Sequence, residues 1–229
     1  MEEEPDNVEM RLLSCMLMYK GGAETGAKAT TLVTCYMTDF LSFWVRGGIE
    51  QGCLFVSRVI VERIAPGNHL TVSADNDGEL AMKELFSDYV CHAYVMDDGL
   101  SIACVTTKNY PARVAFGMMF EVINKFRELK PDWIKLVGRK KDKKIAFPFM
   151  VNKCKQHHHP QENDKILKIN AEVDKVKGIM QKNIEDILAR GENLDRLIEN
   201  TQDLEEGSKI FLKGSKETNS CWKYMCALM

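Results

Sequence analysis

The sequence predicts an α+β fold, in which a mostly antiparallel sheet carries a helix on each side and is followed by a long coiled-coil helix. Five short apolar segments separated by turn residues predict the strands. Two stretches with apolar residues at helical spacing, 50–64 and 111–129, predict the flanking helices. From 166 to 218 the apolar residues recur at steps of three and four, the period of a left-handed coiled coil.

Composition narrows the possible functions. The chain has 229 residues, 45% hydrophobic and 28% charged, which suits one globular domain with an extension. A net charge of −2 gives no reason to expect nucleic acid. The eight cysteines lack metal-ligand spacing, and the acidic start lacks the apolar core of a signal peptide, so we expect reduced cytosolic thiols. No apolar run reaches the length of about 18 residues that predicts a membrane span.

Strands are predicted at 10–18, 29–37, 69–74, 89–96 and 100–106. Asp97-Asp98-Gly99 is a tight-turn signal between the last two. The interval 75–88 is predicted to be a loop with one or two turns of helix. Gly21 to Gly26 resembles a phosphate-binding loop, but the spacing is one residue off and Ala29 replaces the hydroxyl residue, so a plain loop is expected.

The first predicted helix has apolar residues on two sides. In 50–64 one stripe should face the sheet, namely Cys53, Val56, Ile60 and Ile64. Phe55 and Val59 fall on roughly the opposite side and predict a second apolar patch that faces outward. The segment before this helix is apolar but short, and Gly47-Gly48 is expected to interrupt it. Pro111 is expected in the first turn of the second helix.

Two polar stretches follow the second helix. The basic run 139–144 is predicted to be solvated, with weak contact to anionic lipid as the alternative. His157-His158-His159 suggests metal at first sight. Three consecutive histidines cannot all face one ion on a regular helix, and no carboxylate or cysteine spacing supports them. A polar linker before Pro160, continuing from Gln161 to Lys165, is therefore predicted.

The coiled-coil pattern has one unusual member, because Arg190 lies in its middle between Ile187 and Leu194. Burying a guanidinium is costly unless other groups accept its hydrogen bonds. Copies of Arg190 facing each other would repel, so the pattern favours different partner helices that carry acceptors; a generic coiled coil that tolerates one polar residue is the alternative. The predicted core positions are Ile166, Ile169, Val173, Val176, Met180, Asn183, Ile187, Arg190, Leu194, Leu197, Thr201, Leu204, Ser208, Phe211, Ser215 and Thr218.

The last four residues are Cys226-Ala227-Leu228-Met229, a prenylation signal whose terminal Met favours farnesyl on Cys226. A chance cysteine four residues from the end is the alternative. One lipid chain gives only marginal, reversible membrane binding, so a second signal is expected. Cys221 is the candidate for a reversible palmitate, and Trp222 and Tyr224 suit the headgroup region.

Several segments together resemble the longin-domain R-SNAREs, and most closely the prenylated, synaptobrevin-like YKT-type branch. The resemblance covers nearly everything from about residue 10 onward. It is carried by residues 59–63 (VIVER), 89–95 (YVCHAYV), 109–116 (NYPARVAF), 187–194 (ILARGENL), 219–221 (NSC) and the last four residues.

The resemblance implies a longin (profilin-like) domain, with a five-stranded antiparallel sheet between one helix and two, followed by a long SNARE coiled-coil helix. Arg190 is then the central ionic layer, pairing with one Gln from each of three partner helices (Qa, Qb and Qc). It also implies a closed form in which the longin domain holds the SNARE segment and shelters the lipid. By position, Phe55 matches the surface that makes this contact; an ordinary core residue or a stray exposed aromatic is the alternative.

The resemblance suggests an acidic tail at 1–9, a longin domain at 10–159, an R-SNARE motif at 160–220 and a lipidation tail at 221–229. Two features depart from the family pattern. Family members carry adjacent cysteines before the last three residues, whereas here Trp222 to Met225 separate Cys221 from Cys226, which puts the palmitate in doubt. The insertion around 76–87 is also unlike the compact connection that the family leads us to expect.

The predicted function is an R-SNARE that drives membrane fusion in vesicle-mediated protein transport, ER–Golgi transport included, with no enzymatic activity and no cofactor besides covalent lipid. It is expected in the cytoplasm, cycling onto the cytosolic face of Golgi, ER, endosomal or vacuolar membranes. The alternative is a longin-type adaptor or GTPase-regulating scaffold that self-associates through its helix. An enzyme finds no support, because no nucleophile–base pair, phosphate-binding loop or metal cluster is apparent.

Overall fold

A computed structural model describes residues 9–22, 28–73, 88–137, 142–160, 179–188, 194–201 and 209. Their centre is a six-stranded sheet with the order β2-β1-β5-β4-β3-β6. The first five strands are β1 (Leu12–Lys20), β2 (Ala29–Tyr36), β3 (His69–Ser73), β4 (Tyr89–Val95) and β5 (Leu100–Thr107). All five agree with the predicted strands to within two residues at each end, and the α+β class is confirmed.

The strand count and the antiparallel arrangement were only partly right. Strands β1 to β5 pair antiparallel, as expected. A sixth strand, β6 (Met180–Asn183), joins the free side of β3 in parallel. These four residues belong to the segment predicted as a coiled-coil helix. The described part of that segment therefore has a strand where a helix was predicted.

One face of the sheet is covered by α1 (Phe43–Arg63). The predicted stripe of Cys53, Val56, Ile60 and Ile64 is buried against the sheet, as expected. The helix nevertheless begins earlier than predicted and runs through Gly47-Gly48. A glycine inside a helix costs only about 1 kcal/mol relative to alanine, which the packing of a 21-residue helix outweighs.

The opposite face is covered by α2 (Ala112–Leu129) and α3 (Pro148–Gln156). Helix α2 was predicted correctly, except that Pro111 is its N-cap rather than a residue of its first turn. The sequence gave no prediction for α3, which buries only Met150 and Cys154 completely and carries lysines in its last turn. A 3₁₀-helix at Trp133–Leu136 follows α2. The ring centroid of Trp133 lies 5.7 Å from that of Tyr19 on β1.

The segment 142–147 runs along the outer side of β2. The amides of Lys143 and Ile145 donate to the carbonyls of Thr31 and Leu32, at 2.7 and 3.0 Å. Asp142 accepts a hydrogen bond from the Thr31 amide at 2.9 Å and also pairs with Arg58 of α1. The described part of the basic run thus attaches to the sheet through its backbone, while the Lys144 side chain is exposed as expected.

The three histidines do not form a polar linker, and this prediction was wrong. His157 is buried, and its carbonyl accepts a hydrogen bond from the Tyr110 hydroxyl at 2.6 Å. The His158 ring nitrogen Nδ1 lies 2.9 Å from the carbonyl of Leu12, while the Leu12 amide donates to the His158 carbonyl at 3.2 Å. These contacts fix the end of α3 to the start of β1.

Candidate interface between the sheet and the predicted coiled-coil segment

The interface begins with strand β6 on the edge of the sheet. Residues 180–183 pair in parallel with Leu70 to Ser73, so that Met180 lies opposite Leu70 and Asn183 opposite Ser73. The side chains of β6 are mostly exposed, and Met180 retains 46% of its accessible surface. The backbone rather than side-chain burial therefore holds this strand.

The chain changes from strand to helix directly after β6. Helix α4 (Ile184–Ile187) begins at once, and the amide of Asn183 donates to the Asp186 carboxylate at 3.2 Å. This is the reciprocal half of a capping box, in which the third helical side chain satisfies the N-cap amide. Directly after this cap, α4 contacts α1.

Helices α4 and α5 (Leu194–Asn200) contribute to the apolar cluster that contains Phe55. Ile184 and Ile198 are buried in it, and three further apolar side chains pack against it: Ile187, Leu188 and Leu197. Phe55 and Val59, predicted to face outward, are each only 5% exposed. The second apolar patch of α1 is therefore covered, and Phe55 lies in the same cluster as the predicted SNARE segment.

The buried positions only partly coincide with the predicted coiled-coil core. Among core positions, Ile187 and Leu197 pack against the cluster, while Thr201 donates from Oγ1 to the Leu197 carbonyl at 2.6 Å. The two buried residues, Ile184 and Ile198, are one position beyond Asn183 and Leu197 of the heptad pattern. The contact with α1 thus uses a face of the segment that is rotated from the predicted coiled-coil face. Periodicity alone could not have found it.

The remaining predicted positions are distributed as follows. Met180 and Asn183 are the ends of β6, and Leu194 is the first residue of α5. Outside the described residues lie Ile166, Ile169, Val173, Val176, Arg190, Leu204, Ser208, Phe211, Ser215, Thr218, Cys221 and Cys226. The whole insertion predicted at 76–87 and all of the predicted loop 75–88 except Asp88 also lie outside them. The same holds for the last four residues.

Two buried strands support the sheet edge that β6 occupies. On β3 and β4, Thr71 Oγ1 lies 2.9 Å from His92 Nδ1, and His92 Nε2 lies 3.1 Å from Thr106 Oγ1 on β5. Burial lowers the pKa of His92 to about 4. The ring also packs edge-on against Phe116 of α2, with the ring centroids 5.5 Å apart. His92 therefore ties three strands together as a neutral group.

Thiols within the described residues are structural in character. The six described cysteines are free and buried. Burial raises the pKa of Cys53 and of Cys91 to about 12, which keeps both as thiols rather than reactive thiolates. Within the described ranges, no group of three or more His, Cys, Asp or Glu residues could hold a metal ion. Within the same ranges, none of the helices combines the length and the hydropathy of a membrane-spanning segment.

Comparisons with known proteins agree with this architecture. Residues 41–150 match the Longin family, described as the regulated-SNARE-like domain, and residues 165–229 match the Synaptobrevin family. The chain is 32% identical over 204 residues to the "Synaptobrevin homolog YKT6" of Yarrowia lipolytica, covering 88% of this chain and 93% of that protein. It is 31% identical over 180 residues to the "VAMP-like protein YKT61" of Arabidopsis thaliana, covering 78% and 82%.

A five-stranded antiparallel core between helices, followed by a synaptobrevin region, defines a SNARE with a longin domain. Within that class, the chain belongs to the YKT6-type family of longin-domain R-SNAREs, which act in vesicle trafficking. SNARE proteins are not enzymes, and family membership implies association with other SNARE helices.

Proposed function

We propose that this protein is a fusion R-SNARE that alternates between a closed form and a four-helix assembly with Qa, Qb and Qc helices. One observation carries the proposal. Residues 180–183 form a strand on β3, although Met180 and Asn183 are predicted core positions of the coiled coil. The same four residues cannot be strand and helix at once. The closed form and the assembled form therefore exclude each other, which is the basis of autoinhibition.

The apolar cluster strengthens this exclusion. Ile187 and Leu197 pack against the cluster of Phe55 and are also predicted core positions. An assembling bundle needs both side chains for its own core, so they must leave α1 first. Burial of Ile198, which is outside the predicted core, stabilises only the closed form. We therefore assign the closing contact to Phe55 together with Ile184 and Ile198.

Assembly is proposed to depend on Arg190. Three Gln side chains supply carbonyl acceptors for its planar guanidinium, which fixes both register and partner choice. The other core positions from Ile166 to Thr218 form the apolar layers. Zippering toward the C-terminal end would release folding free energy next to the membrane and draw two bilayers together.

Membrane attachment is proposed to use a farnesyl group on Cys226, with Cys221 as the candidate for a palmitate. A single lipid chain binds a bilayer reversibly, which suits a protein that cycles between the cytoplasm and Golgi, ER, endosomal or vacuolar membranes. Mass spectrometry of the protein from its own cells tests this. A farnesyl mass on the wild type that is absent from Cys226→Ser is expected, and an unmodified wild type would contradict it.

The assembly proposal is tested by circular dichroism of the full chain, mixed with soluble Qa, Qb and Qc SNARE motifs from the same organism. The wild type should gain helix slowly on mixing. Ile198→Ser should gain it faster, because the closing contact is weakened while the predicted core is intact. Ile134→Ser is the control, since Ile134 is 51% exposed and lies outside the contact.

Arg190 variants complete the experiment. Arg190→Leu should lower the melting temperature of the complex, and Arg190→Lys should do so less because it keeps the charge but loses the planar donors. The adaptor or scaffold alternative predicts something different. A chain that is dimeric by light scattering, gains no helix on mixing with the Q helices and is unchanged by Arg190→Leu would establish the scaffold instead.

A further inference from the structure

Two aromatic side chains at the start of α1 are almost fully exposed. Phe43 retains 81% and Trp44 87% of the accessible surface, more than any other large apolar side chain in the described residues. Their rings contact each other edge to face, with centroids 5.6 Å apart. Phe40 beside them is 37% exposed. Large apolar groups left together on a surface indicate a contact with something else.

The charges around this pair are matched with one another. Arg46 pairs with Asp39 at 3.2 Å and also donates to the carbonyls of Asp39 and Leu41. Arg11 lies over the Phe40 ring at 4.2 Å and pairs with Glu9, which also lies 3.4 Å from His159. Two arginines thus face two carboxylates. Within the described residues, the arginines beside these aromatic rings are each paired with a carboxylate, so the rim has no excess positive charge to attract an acidic partner.

The size of the pair argues against a stable protein partner. Two aromatic side chains bury about 150–250 Å² each, whereas a specific protein interface needs about 800 Å² on each side. A bilayer needs no complementary surface, and Trp and other amphipathic rings settle at the level of the headgroups. A neutral rim with two protruding rings matches the zwitterionic headgroup region of a phospholipid bilayer.

We propose that Phe43 and Trp44 form an aromatic wedge that inserts into the headgroup region of a phospholipid bilayer. The wedge would be a membrane contact of the longin domain, separate from the C-terminal lipid. The inference rests on the proposed function for the presence of a bilayer beside the protein. It would supply the second signal that a single prenyl chain needs. Phe40 also contacts His158, with ring centroids 6.0 Å apart, so the wedge lies beside the end of the longin domain.

Tryptophan fluorescence with phosphatidylcholine vesicles tests the wedge. The full chain carries Cys226→Ser, so that no prenyl group can form, and Trp222→Phe. Trp133 is only 6% exposed and serves as the buried reference, so the change reports Trp44. We expect a blue shift on adding vesicles and quenching by lipids brominated in the acyl chain near the headgroup. Adding phosphatidylserine should change binding little, because the rim is balanced.

Variants distinguish insertion of the wedge from non-specific adsorption to vesicles. In vesicle flotation, Phe43→Ser/Trp44→Ser should weaken binding at least about fivefold, because binding scales with inserted apolar area. Ile134→Ser, on another exposed apolar side chain, should bind like the parent. Equal binding by the parent, Phe43→Ser/Trp44→Ser and Ile134→Ser would overturn the proposal, and so would an absence of Trp44 quenching by brominated lipid.

The same measurements show whether something other than a bilayer covers Phe43 and Trp44. If Trp44 is blue-shifted and shielded from acrylamide without vesicles, another segment of this chain covers it; a dimer that Phe43→Ser dissociates would mean a second copy. Either result overturns the wedge. The wedge and the fusion proposal are tested independently. Arg190→Leu should leave vesicle binding unchanged, and Phe43→Ser should leave assembly with the Q helices in solution unchanged.

Discussion

The hydroxyl of Tyr110 donates a buried hydrogen bond to the carbonyl of His157, with 2.6 Å between the oxygens. Tyr110 directly precedes Pro111, the N-cap of α2, and His157 follows the last turn of α3. Both groups are nearly inaccessible to water, and burial raises the pKa of Tyr110 above its ordinary value. This bond joins the start of α2 to the end of α3.

Tyr110→Phe should lower the free energy of unfolding by about 1–2 kcal/mol, because the buried His157 carbonyl loses its partner. Urea unfolding followed by intrinsic fluorescence measures the change. Tyr94→Phe is the matched control, since it removes the same hydroxyl from a partly exposed position on β4 and should change stability by less than about 0.5 kcal/mol. Equal losses in the two variants would contradict the role of the bond.

Two glycines should respond to alanine in opposite directions. Gly99 has φ +82°, and a Cβ there would lie 2.6 Å from the Lys20 carbonyl oxygen. Gly99→Ala should therefore destabilise the fold by more than about 2 kcal/mol. Gly47 lies inside α1, and its added Cβ would meet nothing within 4 Å. Gly47→Ala should stabilise by about 0.5–1 kcal/mol, and thermal unfolding of both variants checks the signs.

Acid should weaken the fold through His92. Its pKa in the folded protein is about 4, below the ordinary value of 6.5, so the unfolded chain binds the proton more readily. Stability is therefore fully present above pH 6.5 and falls as the pH drops toward 4, by about 2–3 kcal/mol from this residue. In His92→Gln, the slope of the unfolding free energy against pH should fall in this range by the equivalent of about one bound proton. Urea unfolding at several pH values measures this slope. An unchanged slope would contradict it.

The hydrogen bonds of His92 indicate which ring nitrogen carries the proton in its neutral form. The Thr106 hydroxyl donates to the Thr107 carbonyl at 3.2 Å, so it accepts from His92 Nε2. Thr71 then donates to Nδ1, at 2.9 Å. If Nδ1 gained a proton, the Thr71 hydroxyl would have to turn and accept a hydrogen bond instead of donating one. Burial disfavours the charged ring and is the cause of its lowered pKa.

Much of the fold could be predicted from the sequence, because it follows local patterns. The five strands and α2 have turn signals at their ends and a single periodicity inside. The start of α1 was missed because Gly47-Gly48 has poor helix propensity, which the tertiary packing of that helix overrides. Helix α3 was missed because nine residues with two fully buried side chains give too weak a pattern.

The contact around Phe55 could be predicted only in part. The helical wheel separates Phe55 from the sheet-facing stripe, but it cannot say what covers the other side. The partner is about 130 residues away in sequence, and its buried side chains, Ile184 and Ile198, are outside the heptad pattern. The strand at 180–183 was unpredictable for a physical reason. Its residues have no strand-like alternation, and its pairing depends on the edge that β3 offers.

The sixth strand has a consequence for solubility. An unpaired edge can recruit strands from other chains, which is how many proteins begin to aggregate. In the proposed assembled form, Met180–Asn183 is helical, so that side of His69–Ser73 would lose its partner. Each opening would then expose a strand edge that can pair with other chains. Return to the closed form would protect the protein from self-association, independently of any control over fusion.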